Sequence, residues 1–185
     1  MSALQNLPLF LPDGFSYQDD LISPAEEAAL IGQLAEQPFK SFEFQGFTGK
    51  RRVVSYGWRY DFNGGGLQPT EAIPEFLTEL RGKAAAFARL PTEALAQALL
   101  TEYQPGAPIG WHKDRSVFGT VIGISLASSS TLRLRRKAGS KWERVSLILN
   151  PRSIYVLNGS VRNDWEHSIP PVEALRYSIT FRTVK

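Results

Sequence analysis

Residues 117–157, VFGTVIGISLASSSTLRLRRKAGSKWERVSLILNPRSIYVL, decide the fold. Val117 to Leu126, Thr131 to Lys137, Trp142 to Leu149 and Ser153 to Leu157 each read as a strand. Ser128-Ser129-Ser130, Ala138-Gly139-Ser140 and Asn150-Pro151 part them with turn chemistry. Short strands at near-regular spacing build a sandwich or barrel. One more strand is expected at Arg176 to Val184, past the turn residues Asn158-Gly159.

Toward the N-terminus the character changes. Ser23-Pro24-Ala25-Glu26 is a helix start, with Ser23 capping, Pro24 in the first turn and Glu26 closing a capping box. Leu30, Ile31 and Leu34 supply its apolar face, and Pro38 ends the pattern. An aromatic-rich piece, Phe39 to Phe47, precedes the basic run Lys50-Arg51-Arg52. Val53 to Phe62 looks extended and stops at Asn63-Gly64-Gly65-Gly66. A second helix is expected from Pro74, where Phe76, Leu80, Ala84 and Phe87 repeat at helical spacing. Glu93 to Leu100 stays open between helix and strand, and Gln104-Pro105-Gly106 is a turn. The fold class is mainly β with N-terminal helices (α+β).

At 185 residues, 43% hydrophobic and 21% charged, the chain reads as a single domain, 1–185, with enough residues for a sizeable core. It has no cysteine, which excludes a disulfide framework and a thiolate metal site. No apolar run is long enough for a bilayer and Met1 to Phe10 carries no basic leader, so a cytoplasmic monomer with no membrane partner is expected. The net charge of +3 is unevenly placed. Arg133, Arg135, Arg136, Lys137, Lys141 and Arg144 stand against Glu143 alone, so Thr131 to Arg144 is +5 and the remainder −2. Such a patch suits a polyanion, or is a solvated hairpin with no partner.

One of only two histidines lies in Gly110-Trp111-His112-Lys113-Asp114. In an extended chain His112 and Asp114 point to one side, as a pair of metal ligands. His167 would bring a third ligand from another strand, and two histidines with one carboxylate form the facial set of non-heme Fe(II) oxygenases. In Arg176-Tyr177-Ser178-Ile179-Thr180-Phe181-Arg182, alternation separates Tyr177, Ile179 and Phe181 from Arg176, Ser178, Thr180 and Arg182. The polar face meets either solvent or a cavity. In a cavity, the two guanidinium groups suit the ends of a short dicarboxylate.

Leu100-Thr101-Glu102-Tyr103-Gln104-Pro105-Gly106, His112-Lys113-Asp114, His167 and Arg176 to Arg182 together resemble, in order and spacing, the AlkB-type Fe(II)/2-oxoglutarate-dependent dealkylating dioxygenases, over about residues 40–185. The resemblance implies a double-stranded β-helix, or jelly roll, with helices packed on one sheet. It implies an N-terminal extension with a helix at 1–40, a nucleotide-recognition segment at 41–66 and a catalytic core at 95–185. His112, Asp114 and His167 would bind Fe(II). Thr101, Tyr103, Arg176, Ser178 and Arg182 would hold 2-oxoglutarate, and O2 would be the second cosubstrate. Trp58, Tyr60 and Phe62 would stack on an extruded base or belong to the core, while Arg51, Arg52, Arg135 and Arg136 would meet phosphate. The implied activity is removal of N-alkyl groups from nucleic acid, DNA before RNA, with release of succinate, CO2 and an aldehyde. Thr101, Ser116 and Ser178 depart from the residues usual in that family. Two other readings are an oxygenase of a protein or small molecule and a non-catalytic nucleic-acid-binding β-barrel.

Overall fold

A computed structural model describes residues 10–44 and 47–185. The first nine residues of the expected extension, and residues 45 and 46 of the aromatic-rich piece, lie outside the described residues. In chain order the elements are β1 (Phe15–Gln18), α1 (Pro24–Ala35), β2 (Lys40–Phe44), β3 (Phe47–Tyr56), β4 (Trp58–Asp61), β5 (Gly66–Pro69) and α2 (Thr78–Ala88). There follow β6 (Gln97–Tyr103), β7 (Ile109–His112), β8 (Phe118–Leu126), β9 (Ser130–Ala138), β10 (Lys141–Leu149) and β11 (Ile154–Leu157). The chain ends with α3 (Gly159–Asn163), β12 (Glu166–Ile169) and β13 (Arg176–Val184).

Two antiparallel sheets face each other as a jelly roll. The larger runs β1-β11-β8-β13-β6-β3-β2 and the smaller β10-β9-β12-β7, while β4 and β5 form a separate hairpin. Residues directly opposite in neighbouring antiparallel strands share a face, so alternation sorts the larger sheet into two sides. On one side Ile122, Ile124, Leu100, Ile179 and Phe181 are buried with Leu30 and Leu34 of α1 and Leu80 and Ala84 of α2. On the other, Tyr103, Val121, Tyr155 and Leu157 pack with Leu132, Leu134, Leu147 and Leu149 of the smaller sheet. Both helices therefore cover the outside of the larger sheet, leaving the space between sheets for the site.

Helix α1 begins on the expected capping box: Ser23 Oγ accepts from the Glu26 N–H, and Glu26 accepts from the Ser23 N–H at 2.7 Å. Glu27 is buried on its inner side, accepting from the Ala127 N–H at 2.9 Å and pairing with Arg152 at 3.0 Å. A buried carboxylate so satisfied ties α1 to the sheet without an orphaned charge.

Some expected boundaries move. The extended piece from Val53 to Phe62 is broken at Gly57, whose φ is +74°; any Cβ there would overlap the Ala96 carbonyl oxygen. Glu93 to Leu100 resolves into a 3-10 turn, Thr92–Ala94, and then β6. Asn158-Gly159 does not simply turn: the Asn158 side chain caps α3 by accepting from the Gly159 N–H. β1 pairs with β11 and β3 with β6, so a core starting at residue 95 would cut through the larger sheet. Phe15–Gln18 is too short to declare itself by periodicity alone.

Candidate metal centre

His112 ends β7 and His167 lies in β12, directly opposite each other in the pairing of these strands. Their rings are 4.2 Å apart. β7 stops at His112, so Asp114 arrives from the following loop rather than by continued alternation. Its carboxylate nonetheless meets both imidazoles, with one ligand atom from each of the three residues lying within 4.8 Å of the others. His112 Nδ1 lies 2.8 Å from the Gly110 carbonyl, which only accepts, so Nδ1 carries the proton and Nε2 keeps its lone pair for a metal.

Asp114 Oδ1 accepts from Arg182 Nη2 at 2.6 Å. Oδ2 is buried, 3.6 Å from His167 Nε2 and without a hydrogen-bond partner among the described residues. Burial works to raise the Asp114 pKa, but the opposing charge of Arg182, with the imidazoles and Arg162 beyond it, holds the carboxyl well below its usual range. Burial, then His112, pushes His167 down to about 3. His167 thus stands as a neutral imidazole beside an ionised Asp114, each in the form a divalent metal requires.

The polar face of β13 turns inward. Arg176 is 1% exposed, and Ser178 and Thr180 are buried. Arg176 Nε donates to Ser125 Oγ at 3.1 Å, and its guanidinium lies 4.8 Å from the Tyr103 ring centre. Nη1 is buried with no partner among the described residues. A guanidinium left with an unused buried donor fits a carboxylate from outside the chain. Thr101 and Ser125 stand opposite Ser178 on either side, and Tyr103 opposite Arg176. Arg182 is engaged at the metal end, with Asp114 and with Gln97 Oε1 at 2.9 Å. The donor set of His112, Asp114 and His167 fits a divalent metal, and the unused donor of Arg176 suits an anion.

Four contributors escaped the sequence reading. Ser125 and Tyr155 share the inward face with Arg176; Tyr155 lies over Gly123, where a Cβ would overlap its ring. Burial raises the Tyr155 phenol, with Arg176 pulling the other way, so it stays protonated as a donor. The signal was present in Val121-Ile122-Gly123-Ile124-Ser125, where small and polar residues fall on alternate positions of an apolar strand. Gln97 and Arg162 are single polar residues whose partners are distant in sequence. The Arg162 guanidinium donates to the carbonyls of Arg115, Phe118 and Gly119, pinning the loop that carries Asp114.

The expected substrate residues divide. Tyr60 and Phe62 meet edge-on with ring centres 5.0 Å apart, Phe62 meets Phe42, and Arg115 lies 5.1 Å from the Tyr60 and Phe62 rings. Trp58 is half-buried at the start of the same hairpin. Arg51 stands opposite Tyr103, with its guanidinium 3.9 Å from the Phe42 ring. Arg52 points the other way and forms a two-bond pair with the buried Glu102, so it does not join Arg51 on one surface. Arg135 lies across the small sheet from His167, paired with Glu166 and between Trp111 and Trp142. Arg136, one residue on, faces oppositely and pairs with Glu143. Neighbouring strand positions cannot share a face, which is why the basic runs split.

Residues 14–182 match the 2OG-Fe(II) oxygenase superfamily. An uncharacterised protein, L905, of Acanthamoeba polyphaga mimivirus is 27% identical over 187 residues, covering 93% of this chain and 85% of its own. An Arabidopsis thaliana protein named as an ALKBH8 homologue for alkylated DNA repair is 24% identical over 175 residues, covering 82% of this chain and 49% of its own. The solved structure of OsALKBH1 superposes with a TM-score of 0.67 at 16% identity, covering 94% of this chain and all of that one.

Proposed function

The chain belongs to the 2OG-Fe(II) oxygenase superfamily, and from that premise we propose that it removes N-alkyl groups from nucleic-acid bases, in DNA before RNA. As a dioxygenase of this family it uses Fe(II), 2-oxoglutarate and O2. The bound iron, with those cosubstrates, supplies hydroxylation of the alkyl carbon; one oxygen atom enters the substrate, the other enters succinate, and CO2 leaves. An N-hydroxymethyl product then loses formaldehyde and returns the base N–H.

The chain's own contribution is positioning. His112, Asp114 and His167 hold the metal, and Arg182 keeps Asp114 ionised and aimed. Arg176 receives the far carboxylate, braced by Ser125 and the Tyr103 ring. The apolar wall of Tyr155, Leu157, Leu132 and Leu134 excludes water from the reacting centre.

The observation that carries the substrate reading is the aromatic hairpin joined to the metal loop. Arg115 directly follows Asp114 and spreads over both Tyr60 and Phe62. Rings and a guanidinium plane beside a reactive metal suit an unstacked base. Arg133, Lys137 and Arg144 add positive charge with no ion-pair partner among the described residues, which favours a polyanionic strand. The name of the Arabidopsis relative supports the same direction. A second reading, an oxygenase of a protein or small molecule, draws on the pairing of Arg52 and Arg136 with acids, which removes two expected phosphate contacts.

The test is mass spectrometry of N-alkylated oligonucleotides after incubation with Fe(II), 2-oxoglutarate and O2. Loss of the alkyl mass with matching succinate supports the proposal. Succinate release that no alkylated DNA or RNA stimulates, but that a peptide or small molecule does, replaces it with the second reading.

A further inference from the structure

We propose that Gln97 is a positioning residue that couples the aromatic hairpin to the metal-binding Asp114 through Arg182. Gln97 opens β6 on its inward face and is 2% exposed. Its Nε2 donates to the carbonyl of Trp58, the first residue of β4, at 3.0 Å. Its Oε1 accepts from Arg182 Nη1 at 2.9 Å, and Arg182 Nη2 donates to Asp114 Oδ1 at 2.6 Å. Three hydrogen bonds in series thus join the root of the hairpin to a metal-ligating carboxylate.

The direction of the amide is forced. A guanidinium only donates and a carbonyl only accepts, so turning the amide over would set donor against donor at Arg182 and acceptor against acceptor at Trp58. With the group buried, each mismatch would leave polar atoms unsatisfied where water cannot repair them. An amide has both a donor and an acceptor at its tip; a carboxylate or a hydrocarbon cannot serve both ends.

The hairpin root is also held against sliding. The Gly57 N–H donates to the Glu71 carbonyl at 2.6 Å, and the Gly57 carbonyl accepts from the Thr70 N–H at 3.1 Å. Gly57 packs so closely on the Ala96 carbonyl, next to Gln97, that no Cβ fits between them. Movement of Trp58 is therefore movement at Gln97. A shift in the position of Asp114 is passed to Arg182 and, through Gln97, to the hairpin. By linkage, whatever steadies the hairpin steadies Asp114 equally.

The use of this coupling rests on the reading that the hairpin receives substrate, but the link can be tested without one. The full chain is loaded with Mn(II) and 2-oxoglutarate under nitrogen, and hydrogen exchange is followed by mass spectrometry. In the wild type, loading slows exchange of residues 58–68 by at least about fivefold, the lower end of usual coupling between sites. In Gln97→Leu that response is lost while residues 110–116 still respond. Gln97→Glu provides a second variant, since it keeps a partner for Arg182 but cannot donate to Trp58; its hairpin response is lost as well. A wild-type hairpin indifferent to loading, or an undiminished response in either folded variant, overturns the coupling. An intact exchange response with no turnover of alkylated oligonucleotide overturns the substrate reading and leaves the coupling standing.

Discussion

His167 reaches the interior because Glu166 and Ser168, on either side of it, turn to the other face of the small sheet, toward Arg135 and Arg133. The chain holds no histidine besides this one and His112, so neither ligand has a substitute. His167→Ala is expected to bring 2-oxoglutarate-dependent succinate release to background while the melting temperature of the metal-free protein changes little; calorimetry and a succinate assay check both. Arg176→Lys keeps the charge but loses the planar fork that bonds Ser125 and, on the proposed function, would take the carboxylate of 2-oxoglutarate. The variant should need at least ~10-fold more 2-oxoglutarate, equivalent to about 1.4 kcal/mol, with metal affinity retained. A titration of turnover against 2-oxoglutarate measures the first, and Mn(II) binding the second.

The ladder β3-β6-β13 carries different chemistry on its two faces. Inward stand Arg51, Tyr103 and Arg176, outward Arg52, Glu102 and Tyr177, each set directly opposed across the strands. The Arg52 hydrogen bonds hold Glu102 below its ordinary pKa of 4.5, with burial opposing. A carboxylate with a depressed pKa stabilises the fold fully above its unfolded value and loses that contribution as pH falls through the folded one. Arg52 is about half exposed, and solvent screening trims the effect. Glu102→Gln should therefore melt below the wild type at pH 7, by roughly 2–4 °C for each kcal/mol lost, and the gap should narrow below pH 4.5. Melting curves of the metal-free proteins from pH 7 to 3 decide it. Arg162 works at the same scale, from α3 to the carbonyls of Arg115 in the loop and of Phe118 and Gly119 at the start of β8. Arg162→Met should weaken Mn(II) binding without any change to a ligand, because Asp114 loses the fixed loop that presents it.

Across the molecule, what sequence could reveal was what period and local capping encode. The strands β8 to β11, β13 and the box at Ser23 declared themselves through neighbours two to four residues away, whereas β12 did not. The inward face of β13 was visible as alternation, but not whether it met solvent; that depends on the smaller sheet lying across it. The break at Gly57, the pairing of Arg52 with Glu102 and the pin at Gln97 depend on residues some 40 to 85 positions apart, which no local pattern records. The two sheets together bring a His-Asp-His cluster and Arg176 to the space between their inner faces. The most direct measurement is calorimetric titration of 2-oxoglutarate under nitrogen into metal-free and Fe(II)-loaded protein. Binding to the loaded protein that weakens at least ~10-fold when iron is withheld, and again in His167→Ala, is the result expected of a shared site. Equal affinity with and without iron, or no binding to the loaded wild type, would contradict it.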